Sequence, residues 1–346
     1  MASEAPDGAA GLVVALLANY AWVALDQPGP GGVERLLCTR RTRLSKSGQQ
    51  ILSGDRVQVD GIDWQAARGA VSQVVARRNA LERPAVANVS RVVVVAALVE
   101  PLLDPLQLTR FLITAEATGE SVLVVLSKAD ALSAEDVAAW CDRIRGWGYD
   151  PLAVSTRTGL GLEALRKRLG APGLTVLCGP SGVGKSSLLN ALMPALELRV
   201  GAVSGRLQRG RHTTRHVELF ALAPGALVAD TPGFNRPVLP SDPSTLPALF
   251  PEMRARLAAG GCRYSNCRHL GDPGCAIGSD WDRAELYRRC LADAEAEAER
   301  QGSSLRDEAG LRQRGSRLEP RLQARLRQPS RRRQRQALEE EDQAAT

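Results

Sequence analysis

The sequence predicts an α/β domain built on a mostly parallel sheet, with a small β-barrel before it and a small helical module after it. The α/β prediction rests on near-continuous aliphatic runs at 92–98, 122–126, 151–154, 174–178 and 226–229. Such runs are typical of parallel strands that are buried on both faces. The barrel prediction rests on short apolar runs between residues 11 and 75 that Gly, Pro and Asp interrupt. The third part is indicated by a Pro- and Cys-punctuated stretch after Pro237 that leads into a helical pattern.

The N-terminal runs are predicted to close into a barrel, because closure is the simplest way to protect short strand edges. We expect disorder over 1–10 and the barrel over 11–76. Only 4% of the residues are aromatic, so the cores must be aliphatic. One connecting segment carries a set of cations, namely Arg40, Arg41, Arg43 and Lys46. The residues leave open whether this segment is a plain solvated loop or contacts a polyanion.

The composition limits the classes of binding partner and the cellular compartment that fit this sequence. The 346 residues suggest two or three domains, and the net charge of 45 − 38 = +7 favours a polyanionic partner, either RNA or a membrane surface. Seven cysteines is an odd number, and four residues of a Cys/His cluster lie within fourteen positions, which is not a disulfide framework, so a reducing cytoplasm is expected. The apolar run 12–25 follows Glu4 and Asp7 rather than a basic segment, which argues against a signal peptide. No stretch is long enough to span a membrane.

The stretch GPSGVGKS after the run at 174–178 fits the phosphate-binding pattern G-x-x-x-x-G-K-[ST], with a predicted strand before it and a helix after it. Its glycines allow backbone N–H groups to converge on a phosphate at a helix N-terminus. Lys185 is expected to reach the β- and γ-phosphates, and the Ser186 hydroxyl is expected to ligate Mg²⁺. The predicted nucleotide-binding residues here are Gly179, Pro180, Ser181, Gly182, Val183, Gly184, Lys185, Ser186 and Ser187.

A second phosphate-side loop, DTPG, follows the run at 226–229. Asp230 at its start is expected to hold Mg²⁺ through water, and the Gly233 N–H is expected to sense the γ-phosphate. Between the two loops lies the polar, basic stretch GRLQRGRHTTRH. Thr213 or Thr214 is expected to complete the Mg²⁺ shell, and the sequence leaves open which one does so.

A guanine reader is predicted in the stretch Ser127, Lys128, Ala129 and Asp130, directly after the run at 122–126. The Asp130 carboxylate can accept hydrogen bonds from guanine N1–H and the 2-amino group, and adenine offers neither donor. GTPases usually have Asn where this chain has Ser127. A serine is shorter, so we expect it to lose the bridge to the phosphate loop and to bind guanine more loosely. Ser155, in STRTG after another predicted strand, is expected near guanine O6.

The order of these motifs is unusual, because the guanine reader precedes the phosphate loop. In a parallel sheet all such loops emerge at the carboxyl edge of the strands, whatever their order along the chain. Circular permutation is tolerated because chain termini often lie close together. The sequence therefore predicts a circularly permuted domain, in which the DTPG loop leads towards the Cys-rich segment and hydrolysis moves that segment directly.

A metal site is predicted from Cys262-x₄-Cys267-x-His269-x₅-Cys275, which supplies three thiolates and one imidazole. Four ligands in a short Gly- and Pro-rich loop suit a structural, tetrahedral Zn²⁺ with no open position. The remaining cysteines are expected to be ordinary packed residues, namely Cys38, Cys141, Cys178 and Cys290. From Gln301 the chain is Arg-rich and poor in large apolar residues, so no folded structure is expected there. That tail is either an RNA-contacting arm or a solubilising segment.

As a set, these motifs resemble the ribosome small subunit-dependent GTPase A family, RsgA or YjeQ. The resemblance spans about residues 11–300 and includes the segment RRNALERPAVANVSRVVVV. It implies an N-terminal OB-fold over 11–76, a circularly permuted P-loop GTPase domain over 77–238, a small helical zinc-binding domain over 239–300 and an Arg-rich tail over 301–346. It also implies a cytoplasmic, monomeric factor, without a membrane partner, in late maturation of the small (30S) ribosomal subunit. Contact with 16S rRNA and stimulation of GTP hydrolysis by the subunit belong to the same implication.

The resemblance also bears on catalysis. Phe234 follows DTPG where many GTPases place a water-orienting Gln, so slow intrinsic hydrolysis is expected. Catalysis is expected to come from positioning and electrostatics, with Lys185, Mg²⁺ and backbone N–H groups. The family pattern points to His212 in GRHTT as a catalytic substitute for that Gln. The alternative is a histidine that binds an RNA phosphate.

Two other functions remain open on the sequence. In one, the nucleotide is only a structural clamp in an RNA-binding module, which the barrel, metal loop and basic tail would also suit. In the other, the protein is an ATPase, against which Asp130 argues.

Overall fold

The computed structural model describes residues 8–40, 50–82, 84–194, 217–230, 236–308, 311–314 and 317–320. By contact it divides into two compact units, one of residues 1–240 with 244–290 and one of residues 241–243 with 291–346. Within the described residues, no helix combines the length and apolar character needed to cross a membrane.

The first five strands form a closed barrel. They are β1 (Gly8–Leu16), β2 (Tyr20–Gly29), β3 (Val33–Arg40), β4 (Arg56–Asp63) and β5 (Arg68–Val74). The order is β1-β2-β3-β5-β4, and β4 pairs back to β1, so no strand edge is left open. Only β3 and β5 are parallel within the barrel. Because β1 begins at Gly8, the expectation of disorder through residue 10 is wrong for residues 8–10; residues 1–7 lie outside the described part.

The barrel interior is aliphatic, as the low aromatic content predicted. Its buried side chains include Val13, Ala21, Val23, Leu36, Val57, Val59 and Val71. Along β1, Val13 faces this interior, whereas the next residue, Val14, belongs to the core of the following domain. This alternation lets one strand serve two cores.

A hairpin of β6 (Ala80–Glu82) and β7 (Ala85–Ala87) leads from the barrel into a six-stranded part of the sheet. Its elements in chain order are β8 (Val89–Ala97), α1 (Pro105–Glu116), β9 (Ser121–Ser127), α2 (Ala134–Gly146), β10 (Leu152–Ala153), α3 (Leu162–Leu169), β11 (Gly173–Cys178), α4 (Lys185–Leu192), β12 (Glu218–Ala223) and β13 (Ala226–Asp230). The strand order is β10-β9-β8-β11-β13-β12, and only β12 is antiparallel to its neighbour. All five predicted aliphatic runs are strands, while β12 was missed because five of its six residues are half-buried or exposed.

Helices cover both faces of this sheet, which explains the continuous aliphatic runs. On β8, Val92 and Val94 pack in one core with α1 and α2, and Val93 and Val95 pack in the other with α3 and α4. At the β12 end of the first face the covering layer is the barrel. Val14 there shares a buried cluster with Leu219 and Ala229.

The C-terminal part is mainly helical. It contains a 3₁₀ segment (Pro243–Leu249), α5 (Pro251–Ala259) and α6 (Ala284–Glu308), followed by the hairpin of β14 (Leu311–Arg314) and β15 (Arg317–Pro320). The expectation of no folded structure from Gln301 is therefore wrong for residues 301–308, 311–314 and 317–320. Helix α6 extends past Gln301 from the Ala- and Glu-rich run at 292–299, which favours helix, and the two-stranded hairpin is closed by local hydrogen bonds.

Candidate functional site

The phosphate loop (residues 179–186) connects β11 to α4 and is shaped by its glycines. A Cβ on Gly179 would lie 2.1 Å from the Val95 carbonyl oxygen, and the residue has φ of +142°. Gly184 precedes α4 in a left-handed conformation with φ of +91°. These glycines let the loop backbone turn closely against β8 and lead into the N-terminal turn of α4.

Lys185 is the first residue of α4, and its ammonium folds along the phosphate loop. Its Nζ donates hydrogen bonds to the carbonyl oxygens of Gly179, at 2.8 Å, and Pro180, at 2.7 Å. Ser186 follows with an exposed side chain. A cation and a helix N-terminus thus lie together at this loop, which is the arrangement that binds phosphate.

The base loop (residues 127–131) follows β9 directly. Lys128 has a left-handed backbone with φ of +57°, and residues Ala129–Ala131 form a 3₁₀ turn. The Ala129 N–H donates to the Val154 carbonyl oxygen at 3.1 Å, which ties the loop to the next strand. The Lys128 ammonium donates to the carbonyl oxygen of Glu100. These contacts leave Asp130 at the surface of the turn with its side chain 15% exposed.

The Asp130 carboxylate is held in its ionised form by its neighbours. A hydrogen bond from the Ser155 hydroxyl lowers the pKa of Asp130, and the charge of Arg157 acts in the same direction. Arg157 Nε lies 3.0 Å from Asp130 Oδ2. Ser155 is fully buried, and its Oγ also accepts the N–H groups of Arg157, at 3.2 Å, and Thr158, at 3.1 Å. The ionised carboxylate is the form that accepts two hydrogen bonds.

Ser127 joins the base loop to the phosphate loop. Its Oγ donates to the Val183 carbonyl oxygen at 2.6 Å and lies 3.3 Å from the carbonyl oxygen of Ala96. The expectation that serine is too short to make this bridge is therefore wrong. The bridge forms because the β9 backbone runs close enough to the phosphate loop for a short side chain to reach it, and the side chain is only 5% exposed.

The strand registers place these loops on one edge of the sheet. Ser127, the last residue of β9, pairs with Ala97 at the end of β8, and Cys178, the last residue of β11, pairs with Val94. All three strands are parallel, so the base and phosphate loops both leave at the carboxyl edge. On the far side of β11, Ala229 of β13 pairs with Val176, which brings the backbone of Asp230 to the same edge.

Several predicted site residues lie outside the described residues, namely His212, Thr213, Thr214 and Gly233. For Asp230 the structure describes the backbone only. Sequence reasoning missed Arg157, although this cation lies two residues after Ser155. Only the fold shows that it reaches Asp130.

The four members of the Cys/His cluster come together in the loop between α5 and α6. The Sγ atoms of Cys262, Cys267 and Cys275 and a ring nitrogen of His269 all lie within 4.8 Å of one another. Such a compact set of three sulfurs and one nitrogen could hold a tetrahedral metal ion. The other four cysteines are buried, as expected for packed residues.

The backbone of the cluster loop supports metal binding. The N–H groups of Ala276 and His269 point at the sulfurs of Cys262, at 3.3 Å, and Cys267, at 3.4 Å, respectively. Partial burial lowers the pKa of His269, which favours the neutral imidazole that a metal requires.

The segments that flank the cluster are fastened to the end of α2, a contact that no local sequence pattern indicated. Arg283 is 1% exposed, donates to Glu252 Oε1 at 2.6 Å and lies over the rings of Trp147 and Phe250. Asp282 accepts from Trp147 Nε1 at 2.6 Å and pairs with Arg143. The cluster segment is therefore anchored to the C-terminal end of α2, the helix that follows the base loop.

Comparison with known proteins gives a consistent assignment. A family model described as RsgA GTPase matches residues 74–240. The "Small ribosomal subunit biogenesis GTPase RsgA" of Synechococcus sp. (strain CC9605) is 56% identical over 85% of this chain and 96% of that protein. The protein of the same name from Thermosynechococcus vestitus is 48% identical over 94% of each chain.

Solved structures show the same architecture. The crystal structure of YjeQ from Thermotoga maritima has a TM-score of 0.70 at 28% identity, and the match covers 83% of this chain and 99% of that one. The crystal structure of YloQ, described as a circularly permuted GTPase, has a TM-score of 0.65 at 26% identity, covering 84% and 96%.

Proposed function

The chain belongs to the RsgA family of GTPases and is a GTP-hydrolysing enzyme, and from this premise we propose that it acts in biogenesis of the small ribosomal subunit. The observation that carries the proposal is the bridge from Ser127 Oγ to the Val183 carbonyl oxygen, 2.6 Å long, which unites the base and phosphate loops. A guanine reader and a phosphate cradle joined at one sheet edge suit one guanine nucleotide.

Guanine recognition is assigned to the base loop. The Asp130 carboxylate accepts from guanine N1–H and the 2-amino group, and its lowered pKa keeps it in the accepting form. The Lys128 stem covers the base, Ala129 contributes backbone, and the Ser155 loop lies at O6. Adenine lacks both donors, and leaving a carboxylate unpaired costs about 1–3 kcal/mol or more, so ATP is a poor competitor.

Phosphate binding and hydrolysis are assigned to the phosphate loop and the residues near it. Lys185 and the N–H groups at the start of α4 hold the β- and γ-phosphate oxygens and stabilise the charge that develops there. Ser186, Asp230 and one of Thr213 and Thr214 are the residues that would hold Mg²⁺, which neutralises phosphate charge when it is bound with GTP. Gly233 contributes its backbone N–H at the γ-phosphate.

Water activation is assigned to His212, on the strength of the family pattern. Phe234 has no polar atom with which to orient water, so a second residue is needed for that task. With the ribosomal subunit present, a His212→Ala protein that turns over as fast as wild type would rule the role out.

The Cys/His cluster is assigned a structural Zn²⁺ held by Cys262, Cys267, His269 and Cys275. The donor set of three sulfurs and one imidazole nitrogen supports this choice, because soft thiolate ligands with no open position favour zinc. Metal analysis of the purified protein is expected to find one zinc per chain, and finding iron in its place would contradict the assignment.

The partner is proposed to be the small ribosomal subunit, contacted through 16S rRNA by a cytoplasmic monomer. The net charge of +7 supports a polyanionic partner. We assign RNA contacts to the barrel (11–76) and the zinc-binding domain (239–300), on either side of the GTPase domain (77–238). The Arg-rich tail (301–346) is either an additional RNA-contacting arm or a solubilising segment.

The decisive experiment measures GTP turnover by the full-length protein with and without purified small subunits. Turnover is expected to be slow alone and to rise on adding subunits. A Lys185→Ala protein is expected to lose about 100-fold or more of the stimulated rate, whereas Lys167→Ala, which removes an exposed lysine on α3, is expected to match wild type. Binding of subunits and GTP without turnover would instead identify an RNA-binding module in which the nucleotide is a structural clamp.

A further inference from the structure

We propose that Ser53, in the connection between barrel strands β3 and β4, is a positioning residue for GTP hydrolysis. Through the backbone of Val217 it fixes the start of β12, and β12 in turn fixes the end of β13 at Asp230. The proposal rests on the proposed role of Asp230 at the phosphate side of the site. It makes the barrel part of the catalytic framework as well as a surface for a partner.

The central contact is a buried hydrogen bond between two distant parts of the chain. Ser53 Oγ donates to the Val217 carbonyl oxygen at 2.9 Å. Ser53 is fully buried and Val217 is 7% exposed, so no water competes for this carbonyl. Val217 is the residue just before β12 and lies three positions after Thr214 in the sequence.

The barrel turn that carries Ser53 is firmly held, so it can act as a fixed point. Asp55 accepts from the N–H of Leu52 at 2.8 Å and from Arg77 Nε at 2.7 Å. The Ser53 carbonyl oxygen accepts from the N–H of Ala87 at 2.9 Å. A Cβ on Gly54 would lie 2.2 Å from the Ala87 carbonyl oxygen, which shows how closely the turn fits against the hairpin that enters the sheet.

A second barrel element holds the same strand. Ala15 of β1 pairs with Glu218, the first residue of β12. Val14, its neighbour, belongs to the buried cluster that includes Val217 and Leu219. Backbone pairing, side-chain packing and the Ser53 hydrogen bond therefore all fix the beginning of β12 to the barrel.

The hairpin transmits this position to the nucleotide edge. Glu218 pairs with Asp230, and Leu219 pairs with Ala229. Ala229 in turn pairs with Val176 of β11, three residues before the phosphate loop begins at Gly179. A displacement at Val217 is thus expected to move Glu218, the next residue, which lies opposite Asp230. GDP lacks the γ-phosphate, so binding of a GTP analogue and hydrolysis should respond more strongly than binding of GDP.

Two pairs of variants separate positioning from mere stabilisation. Ser53→Ala removes the hydroxyl that holds Val217. Its control, Ser90→Ala, removes a hydroxyl at the opposite edge of the sheet that accepts from the Leu174 N–H at 2.7 Å and donates to the Leu174 carbonyl oxygen at 3.2 Å. Val14→Ala trims the barrel face towards β12, and its control Val13→Ala trims the adjacent residue, which faces the barrel interior.

The experiment uses the full-length protein and measures three quantities for each variant: kcat with small subunits, the ratio of Kd values for a non-hydrolysable GTP analogue and GDP, and the unfolding temperature. Ser53→Ala and Val14→Ala are expected to lower kcat and weaken analogue binding relative to GDP by about fivefold. Ser90→Ala and Val13→Ala are expected to lower the unfolding temperature while leaving that ratio within about twofold of wild type.

Each result decides the matter. If either Ser53→Ala or Val14→Ala does not fold, the other variant provides the test. A ratio unchanged in Ser53→Ala and Val14→Ala, or shifted equally in the two controls, would overturn the proposal and leave the barrel contact as structural packing. Failure of the proposed function looks different, because wild type itself would then bind neither nucleotide.

Discussion

The phosphate loop and the base loop, which we propose bind one nucleotide, depend on different parts of their residues. The phosphate loop depends on its backbone, since Gly179 lies where a Cβ would collide with Val95. The base loop depends on side chains, since Asp130, Ser127 and their partner Ser155 act through polar groups. A backbone site is broken by adding atoms, whereas a side-chain site is broken by removing them.

The two loops also differ in how much change they should tolerate. The conformation of the phosphate loop is fixed by close packing of its backbone against β8, so a single added methyl group should displace all its N–H groups together. The base loop uses separate hydrogen bonds, each of which contributes about 0.5–1.5 kcal/mol, or more where charge is involved. Substitutions in the base loop should therefore lower nucleotide affinity in graded steps, whereas a substitution in the phosphate loop should abolish it.

The largest effect is expected from Gly179→Ala. The new Cβ would lie 2.1 Å from the Val95 carbonyl oxygen, and the backbone has φ of +142°, so the loop must move off β8. GDP affinity, measured by calorimetry, is expected to fall by about 100-fold or more. Gly146→Ala at the end of α2 is the control, because its Cβ meets nothing within 4 Å. Wild-type affinity in Gly179→Ala would show that the phosphate loop is not set by its backbone.

The next effect tests the base loop through Asp130→Asn. The amide keeps the shape but offers a donor where guanine also has a donor, so GDP affinity is expected to drop about 100-fold. Xanthosine diphosphate carries a carbonyl in place of the 2-amino group, so its affinity is expected to rise. Competition binding with GDP, xanthosine diphosphate and ADP measures this exchange. An unchanged preference for GDP would remove Asp130 from the base site.

The phosphate loop could be predicted from sequence because its pattern encodes backbone geometry. Glycines at 179 and 184 indicate a positive φ or a close backbone contact, whatever the rest of the fold. The flanking strand and helix can also be predicted from local sequence. The aliphatic runs likewise report burial on two faces, as the alternation of Val92 and Val93 between two cores shows.

The base loop could be predicted only in part, because its geometry depends on distances between separate strands. The turn that carries Asp130 directly after a strand could be predicted, and its role in guanine binding stays a prediction. The expected loss of the Ser127 bridge was wrong, since the 2.6 Å contact to Val183 depends on how closely β9 and the phosphate loop lie in space. The contacts of Arg283 with Trp147 and of Ser53 with Val217 were missed for the same reason: each joins residues more than 100 positions apart.

A smaller effect is expected from Ser127→Ala. It removes the hydroxyl that holds the Val183 carbonyl, which leaves a buried acceptor without this donor, at a cost of about 1–2 kcal/mol. GDP affinity is expected to fall about tenfold. Because the serine already makes the bridge, Ser127→Asn is expected to change affinity by no more than about threefold. A large gain in affinity with asparagine would show that the serine bridge is ineffective in solution.

The smallest effect at neutral pH is expected from Ser155→Ala, and it becomes visible in acid. The Ser155 hydroxyl lowers the pKa of Asp130, so in wild type the accepting carboxylate persists as the pH falls and is lost only below its ordinary range. Removing the hydroxyl raises that pKa, so the variant should lose guanine affinity at a higher pH than wild type. GDP binding measured from pH 7 downward tests this, with Thr158→Ala as control, because the Thr158 hydroxyl lies in the same loop and accepts from the Leu160 N–H at 3.4 Å. If wild type and Ser155→Ala lost GDP affinity at the same acidic pH, then Arg157, and not Ser155, would keep the carboxylate charged.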